Sequence, residues 1–149
     1  MRKILLPPVM LALCLISLVG VNYFNIAGII LFSAPVTYAG YGVILLGIFL
    51  PIWGAHLFRQ HETNILPYKD PDHIVTSGPF GFSRNPMYLG MLLVLFGVAL
   101  MYGTALGFIF PLAYFCVANW WYIPYEESRM TEAFGEKFIA YQAKVRRWL

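Results

Sequence analysis

Apolar and polar positions fall in long blocks along this chain. Four uncharged, mainly apolar runs occupy 4–21, 36–58, 86–101 and 105–123. A helix that crosses the hydrocarbon core needs about 20 such residues, so the pattern predicts about four transmembrane helices, the third being the shortest. All charge is confined to Arg2 and Lys3, to 59–84 and to 126–147. Lys and Arg favour the cytoplasmic side, so the basic start puts the N-terminus inside, and four spans return both other charged stretches to that side. The connections at 22–35 and 102–104 carry no charge and face outward. The expectation is an all-α integral membrane protein forming one membrane domain over 1–149. It has N-terminal spans within 1–58, a more polar half over 59–149, a helical hairpin over 86–123 and a cytosolic amphipathic helix over 126–147.

Composition sharpens this picture. Hydrophobic residues make up 60% of the chain, and the net charge of +3 suits anionic lipid headgroups. No basic face with interleaved aromatics suggests nucleic-acid binding. Cys14 and Cys116 lie in different spans without metal-ligand spacing, so neither a disulfide framework nor a zinc site is indicated. His56, His61 and His73 do not form a metal site by spacing either, although His61 and Glu62 fall where they would line a membrane-surface site. The first twenty residues also fit a signal peptide, but Pro7 and Pro8 come early and no small-residue cleavage site follows, so a retained helix is expected. The apolar segment 26–32 is too short to span, and extension of the first helix, an interfacial position and re-entry all stay open. Trp120, Trp121, Tyr122 and Tyr125 mark an interface where the fourth helix leaves the bilayer.

Gly40, Gly47 and Gly54 recur every seven residues on the second span, and Gly90 and Gly97 repeat the spacing on the third. Both a packing seam and the general abundance of glycine in membrane helices explain this. The connection Tyr102, Gly103, Thr104 is so short that the third and fourth spans must form an antiparallel hairpin, which brings Arg84 and Glu126 to one membrane face. Ser77 to Phe80 form a turn, and then Asn85 is placed as an N-cap and Pro86 as the first helical residue. Such a helix start also offers free N–H groups and a positive dipole end to an anionic ligand. Glu126 and Glu127 either open a last surface helix or hold hydroxyls or an ammonium of a nucleotide-like ligand, with Arg84 opposite. From Glu127 on, Met130, Phe134, Phe138, Tyr141, Val145 and Trp148 recur at helical spacing, interrupted by Gly135 at a cost of about 1 kcal/mol relative to Ala. The chain either bends there or is closely packed, and the helix lies on the membrane or covers the site. No dinucleotide fingerprint, phosphate loop, serine elbow or zincin motif is present. The residues thus point to a polar-ligand pocket beside lipid.

The ordered motifs Ile74-Val75-Thr76-Ser77-Gly78-Pro79-Phe80, Ser83-Arg84-Asn85-Pro86-Met87-Tyr88-Leu89-Gly90, Glu126-Glu127 and Phe134-Gly135-x-x-Phe138-x-x-Tyr141 resemble the isoprenylcysteine carboxyl methyltransferase family and its phospholipid methyltransferase relatives. The resemblance covers the C-terminal half, from about Thr63 onward. It implies an integral enzyme that uses S-adenosylmethionine without a Rossmann domain. Carried over by position, Gly78, Pro79, Arg84, Asn85, Pro86, Tyr88, Leu89, Glu126 and Glu127 become cofactor-binding residues. Arg84 becomes the catalytic residue, holding the cofactor or an acceptor carboxylate. Asn85 stands where the family usually has histidine, and an amide donates a hydrogen bond but does not titrate. Methyl transfer chiefly requires alignment and exclusion of water, so a titrating group there is not essential.

The implied partners are the lipid bilayer and a lipophilic or prenylated acceptor entering sideways from the bilayer, and the implied reaction is carboxyl O-methylation of an isoprenylcysteine-like substrate. The alternatives are N-methylation of a phospholipid or other lipid amine, a nicotinamide-dependent membrane reductase, and a non-catalytic scaffold, which the Asn85 departure keeps open. The small size points to a prokaryotic inner membrane.

Overall fold

A proline in the first turn of a helix gives up an N–H that would have no partner anyway, and the chain uses this position at several helix starts. Pro7 opens α1 (Pro7–Tyr23) and Pro86 opens α3 (Pro86–Tyr102). The computed structural model describes residues 6–24, 26, 28–60 and 73–149. In it, α2 (Val36–Gln60) lies between these two helices in sequence, and α4 (Ile109–Val117), α5 (Ile123–Phe134) and α6 (Glu136–Lys144) follow. A π-helical turn, Ala118–Tyr122, joins α4 to α5, so Leu106–Phe134 is one unbroken rod of 29 residues. Among the described residues, the only β pairing is an isolated bridge between Ile30 and Thr104.

Two helices, Val36–Gln60 and Leu106–Phe134, are long and apolar enough to cross a membrane, and α1 and α3 are apolar helices of 17 residues. At 1.5 Å per residue the 25 residues of α2 extend about 37 Å, against about 30 Å for the hydrocarbon core, and α3 extends about 25 Å. Ile16, Leu45, Phe49, Ile52 and Leu112 are exposed on the outer surface of this bundle, an apolar shell of the kind that faces lipid. The protein is therefore an all-α membrane protein, as the apolar runs predict. Arg2 and Lys3, the start of the first predicted span, and His61 with Glu62 lie outside the described residues.

The glycine repeat is a packing seam. α2 and α3 run antiparallel, with Gly40 against Gly97 and Gly47 against Gly90. A Cβ added to Gly40 would stand 2.5 Å from the Gly97 carbonyl oxygen, and one on Gly47 would stand 2.7 Å from the Val94 amide nitrogen. Both obstacles are backbone, so no side-chain adjustment relieves them. In a membrane, where burial of apolar surface gives helices no advantage over lipid, such close approach is a main source of helix association. On the other side of α3, Leu95 packs with Cys14 of α1 and with Tyr114, Ala118 and Ile123 of the long rod into an uncharged, mainly apolar centre.

Opposite ends of the bundle differ in chemistry. At one end Gly103, in left-handed conformation at φ 66°, ends α3. The Gly103 carbonyl accepts the Leu31 amide at 2.7 Å, the Ala105 amide donates to Ile29 at 2.9 Å, and Thr104 donates to Asn22 at 2.8 Å. Segment 28–32 is thus held beside the α3–α4 turn and does not cross the bundle. The other end gathers the start of α1, the end of α2, the start of α3 and the charged half of α5.

The seam yields a direct expectation. Gly47→Val should lower stability by about 2 kcal/mol or more through overpacking, whereas Gly42→Val, which has nothing within 4 Å of its added Cβ, should change it little. Thermal unfolding of both variants in the same detergent is the check, and equal losses would contradict the seam.

Candidate functional site

The polar end is assembled from a turn that leans on α2. Gly78 sits at φ +58°, and a Cβ there would meet Leu57 Cδ1 at 2.7 Å, so the turn Gly78–Gly81 lies tight against the end of α2. Pro79 is fully buried behind it, and Phe80 packs with Leu57 and Val75 and edge-on against Phe58. The Phe80 carbonyl accepts the Tyr141 hydroxyl at 2.6 Å, which fixes α6 to the turn. Burial pushes that hydroxyl up to about 12, with the Arg84 charge opposing, so it remains a donor at neutral pH.

Arg84 and Asn85 follow. Arg84 Nη2 donates to Glu127 Oε1 at 2.7 Å, and Nη1 donates to the carbonyls of Val145 at 2.7 Å and Gln142 at 3.1 Å. The second carboxylate oxygen, Oε2, accepts Arg147 Nη2 at 2.5 Å, and Arg147 Nε reaches Oε1 at 3.3 Å. Glu127 therefore lies between two guanidinium groups, and the Arg84 and Glu127 side chains are only 13% and 14% exposed. Arg84 Nε is buried and has no hydrogen-bond partner among the described residues. Asn85 occupies the N-cap position, but its side chain makes no cap bond. Its amide instead donates to the Arg147 carbonyl at 3.0 Å, because the chain after α6 passes within reach.

Glu126 has different surroundings. Tyr88 donates to its Oε1 at 2.5 Å, and the Tyr88 ring stacks on Tyr122 with centroids 6.1 Å apart. The local cause is the π-turn. Pro124 has no N–H to give to the carbonyl five residues earlier, that of Asn119, and its ring crowds the carbonyl four residues earlier. The Asn119 carbonyl is thereby left free and takes Arg147 Nη1 at 3.4 Å. The helix continues through Pro124 and delivers Glu126 and Glu127 on successive positions of one rod. The amphipathic helix predicted over 126–147 is instead divided at Gly135, whose φ of 53° and ψ of −128° suit only glycine. The break turns α6 so that Phe138 and Tyr141 face inward and are buried.

These elements enclose a cavity of about 310 Å³, at the small end of the range of small-molecule sites. Of the residues singled out in the sequence, Arg84, Asn85, Pro86, Tyr88, Glu126 and Glu127 line it. Gly78, Pro79 and Leu89 do not; the first two shape the turn behind it, and Leu89 is buried in the packing of α3. Sequence reasoning missed His73, Phe80, Phe138 and Tyr141 as wall residues and Arg147 as the second partner of Glu127. The 3–4 periodicity marked Phe138 and Tyr141 as an apolar face, whereas nothing in the spacing distinguished Arg147 from its basic neighbours. Leu6, Pro7 and Pro8 at the start of α1 extend the walls with apolar surface, beside Met87, Met91 and Met130.

Such an arrangement is a helical membrane bundle with buried charge converging at one end on a cavity of small-molecule size. The chain belongs to the phospholipid methyltransferase family, whose pattern matches residues 36–137, and it is thus a membrane methyltransferase by family. The match takes in α2 and the motifs through Glu126-Glu127 and stops short of Phe138 and Tyr141, so the likeness reaches further toward the N-terminus than Thr63. The chain is also 36% identical over 63 residues to an uncharacterized protein of Haemophilus influenzae, a match that covers 42% of this chain and all of that protein.

The two glutamates should respond differently to neutralisation. Glu127→Gln leaves two guanidinium groups facing an amide and should cost about 3 kcal/mol of stability, as breaking buried ion pairs does, while Glu126→Gln should cost about 1 kcal/mol or less. Thermal or SDS unfolding in mixed micelles measures the difference, and equal costs would contradict the two-arginine arrangement.

Proposed function

We propose that this chain transfers a methyl group from S-adenosylmethionine to a lipophilic acceptor at the polar end of the bundle. The observation that carries this is the cavity itself, in which a buried carboxylate, Glu126, meets aromatic walls and an apolar flank leading to the start of α1. The residues fit the cofactor's chemistry. Glu126 can accept from hydroxyls or an ammonium, and Phe80 and Phe138 supply aromatic wall for a purine. S-Adenosylmethionine supplies a methyl group already activated on a sulfonium. The protein's part is to align donor and acceptor and to keep water away.

For the acceptor, a lipid amine suits the site best. A protonated amine must lose a proton to become a nucleophile, and the Glu126–Tyr88 pair places a carboxylate at the cavity where such a proton can go. An isoprenylcysteine-like carboxylate is the second reading, for which Arg84 at the cavity wall supplies positive charge while Glu127 and the α6 carbonyls engage its Nη groups. In both readings the lipid tail lies along Leu6, Pro7, Met87 and Met91. Family membership favours methyl over hydride transfer, which sets the nicotinamide reading aside.

Calorimetric titration of the detergent-purified protein with S-adenosylmethionine tests this. Saturable one-to-one binding is expected, weakened at least tenfold in Glu126→Gln and in Phe138→Ala. A folded wild-type protein that takes up no heat of binding would refute the cofactor assignment.

A further inference from the structure

The chain beyond α6 does not trail into solvent. Val145 is extended (φ −120°, ψ 131°), and the following residues run back along the start of α3. The Arg146 carbonyl accepts the Arg84 amide at 2.9 Å, and the Arg147 carbonyl accepts Asn85 Nδ2 at 3.0 Å and Ser83 Oγ at 3.5 Å. Trp148 Nε1 donates to Asn119 Oδ1 at 3.0 Å, with its ring 5.1 Å from that of Phe115. Arg147 itself grips Glu127 and reaches both oxygens of Asn119 at 3.4 Å. This strap lies beyond residues 36–137, so the family's shared pattern does not account for it.

We infer that Arg147 is a positioning residue for the methyl-transfer site, acting through Glu127 and Arg84 on the first turn of α3. The inference rests on the function proposed above. Arg84 engages only one oxygen of Glu127, which leaves the other to Arg147. Without Arg147, Oε2 of a carboxylate that is only 14% exposed loses its 2.5 Å partner, so Glu127 is free to rotate toward solvent and to release Arg84. The same loss loosens the strap carbonyls that hold the Arg84 amide and the Asn85 side chain. A guanidinium is suited to this task because its planar fork presents parallel N–H groups to one carboxylate while a third reaches Asn119; an ammonium offers only a point charge.

Hydrogen exchange and cofactor titration together test the inference on the full chain in detergent. In Arg147→Ala, amides of 83–92 should exchange at least tenfold faster, while those of α2 and of 95–102 keep wild-type rates, and S-adenosylmethionine should bind at least tenfold more weakly. Arg147→Lys should fall between the two in both readouts, and it carries the comparison if Arg147→Ala does not fold. Unchanged exchange over 83–92, or acceleration of equal size throughout the bundle, would overturn the positioning role. A wild-type protein that binds no S-adenosylmethionine refutes the proposed function, and the exchange pattern still decides whether Arg147 orders this end of the bundle.

Discussion

A carboxylate removed from water beside hydrocarbon must be paired, because the cost of an isolated buried charge far exceeds what a folded domain can tolerate. Glu127 meets that demand with two arginines that come from distant parts of the chain. Arg84 precedes α3, and Arg147 follows α6. One side chain on α5 thus ties together the start of α3, the charged half of the long rod and the C-terminal strap. Arg84 extends the network by donating to two carbonyls at the end of α6, groups a helix terminus would otherwise leave without partners. Remove the carboxylate and each of these elements loses an attachment that the apolar core does not replace.

The bilayer explains why this network lies at one end. Within the hydrocarbon, the glycine seam of α2 and α3 and the apolar centre around Leu95 and Tyr114 hold the bundle without charge. At 17 residues α3 is short, and its first turn meets the polar groups of α5 at the charged end of the bundle. The cavity forms at that end. Its polar wall comes from Arg84, Asn85 and Glu126, and its apolar wall from the start of α1 and the methionines.

Much of this was legible in the sequence. The four apolar runs located the apolar helices, two of which are long enough to cross a membrane, and the short 102–104 connection required Arg84 and Glu126 to share a face. Other features depended on distances no sequence displays. Gly47 and Gly90 read equally as seam or as ordinary membrane glycines until each was found against the other's backbone. Trp120, Trp121, Tyr122 and Tyr125 looked like the end of the fourth helix, yet a π-turn carries the helix on through Pro124 and frees the Asn119 carbonyl for Arg147. Asn85 had the position of an N-cap, but a long-range carbonyl competed successfully for its amide. The adjacent glutamates read as a pair, and tertiary contacts separated them: Glu127 between two arginines, Glu126 with Tyr88 at the cavity.

The most direct measurement is transfer of labelled methyl groups in membranes that contain the protein. Incubation with methyl-labelled S-adenosylmethionine followed by organic extraction should put label into a lipid-soluble product, and Glu126→Gln at equal abundance should put in at least tenfold less. Label that stays in the aqueous phase, with the wild-type protein folded and the membranes supplying their own lipids, would contradict a lipophilic acceptor at this site.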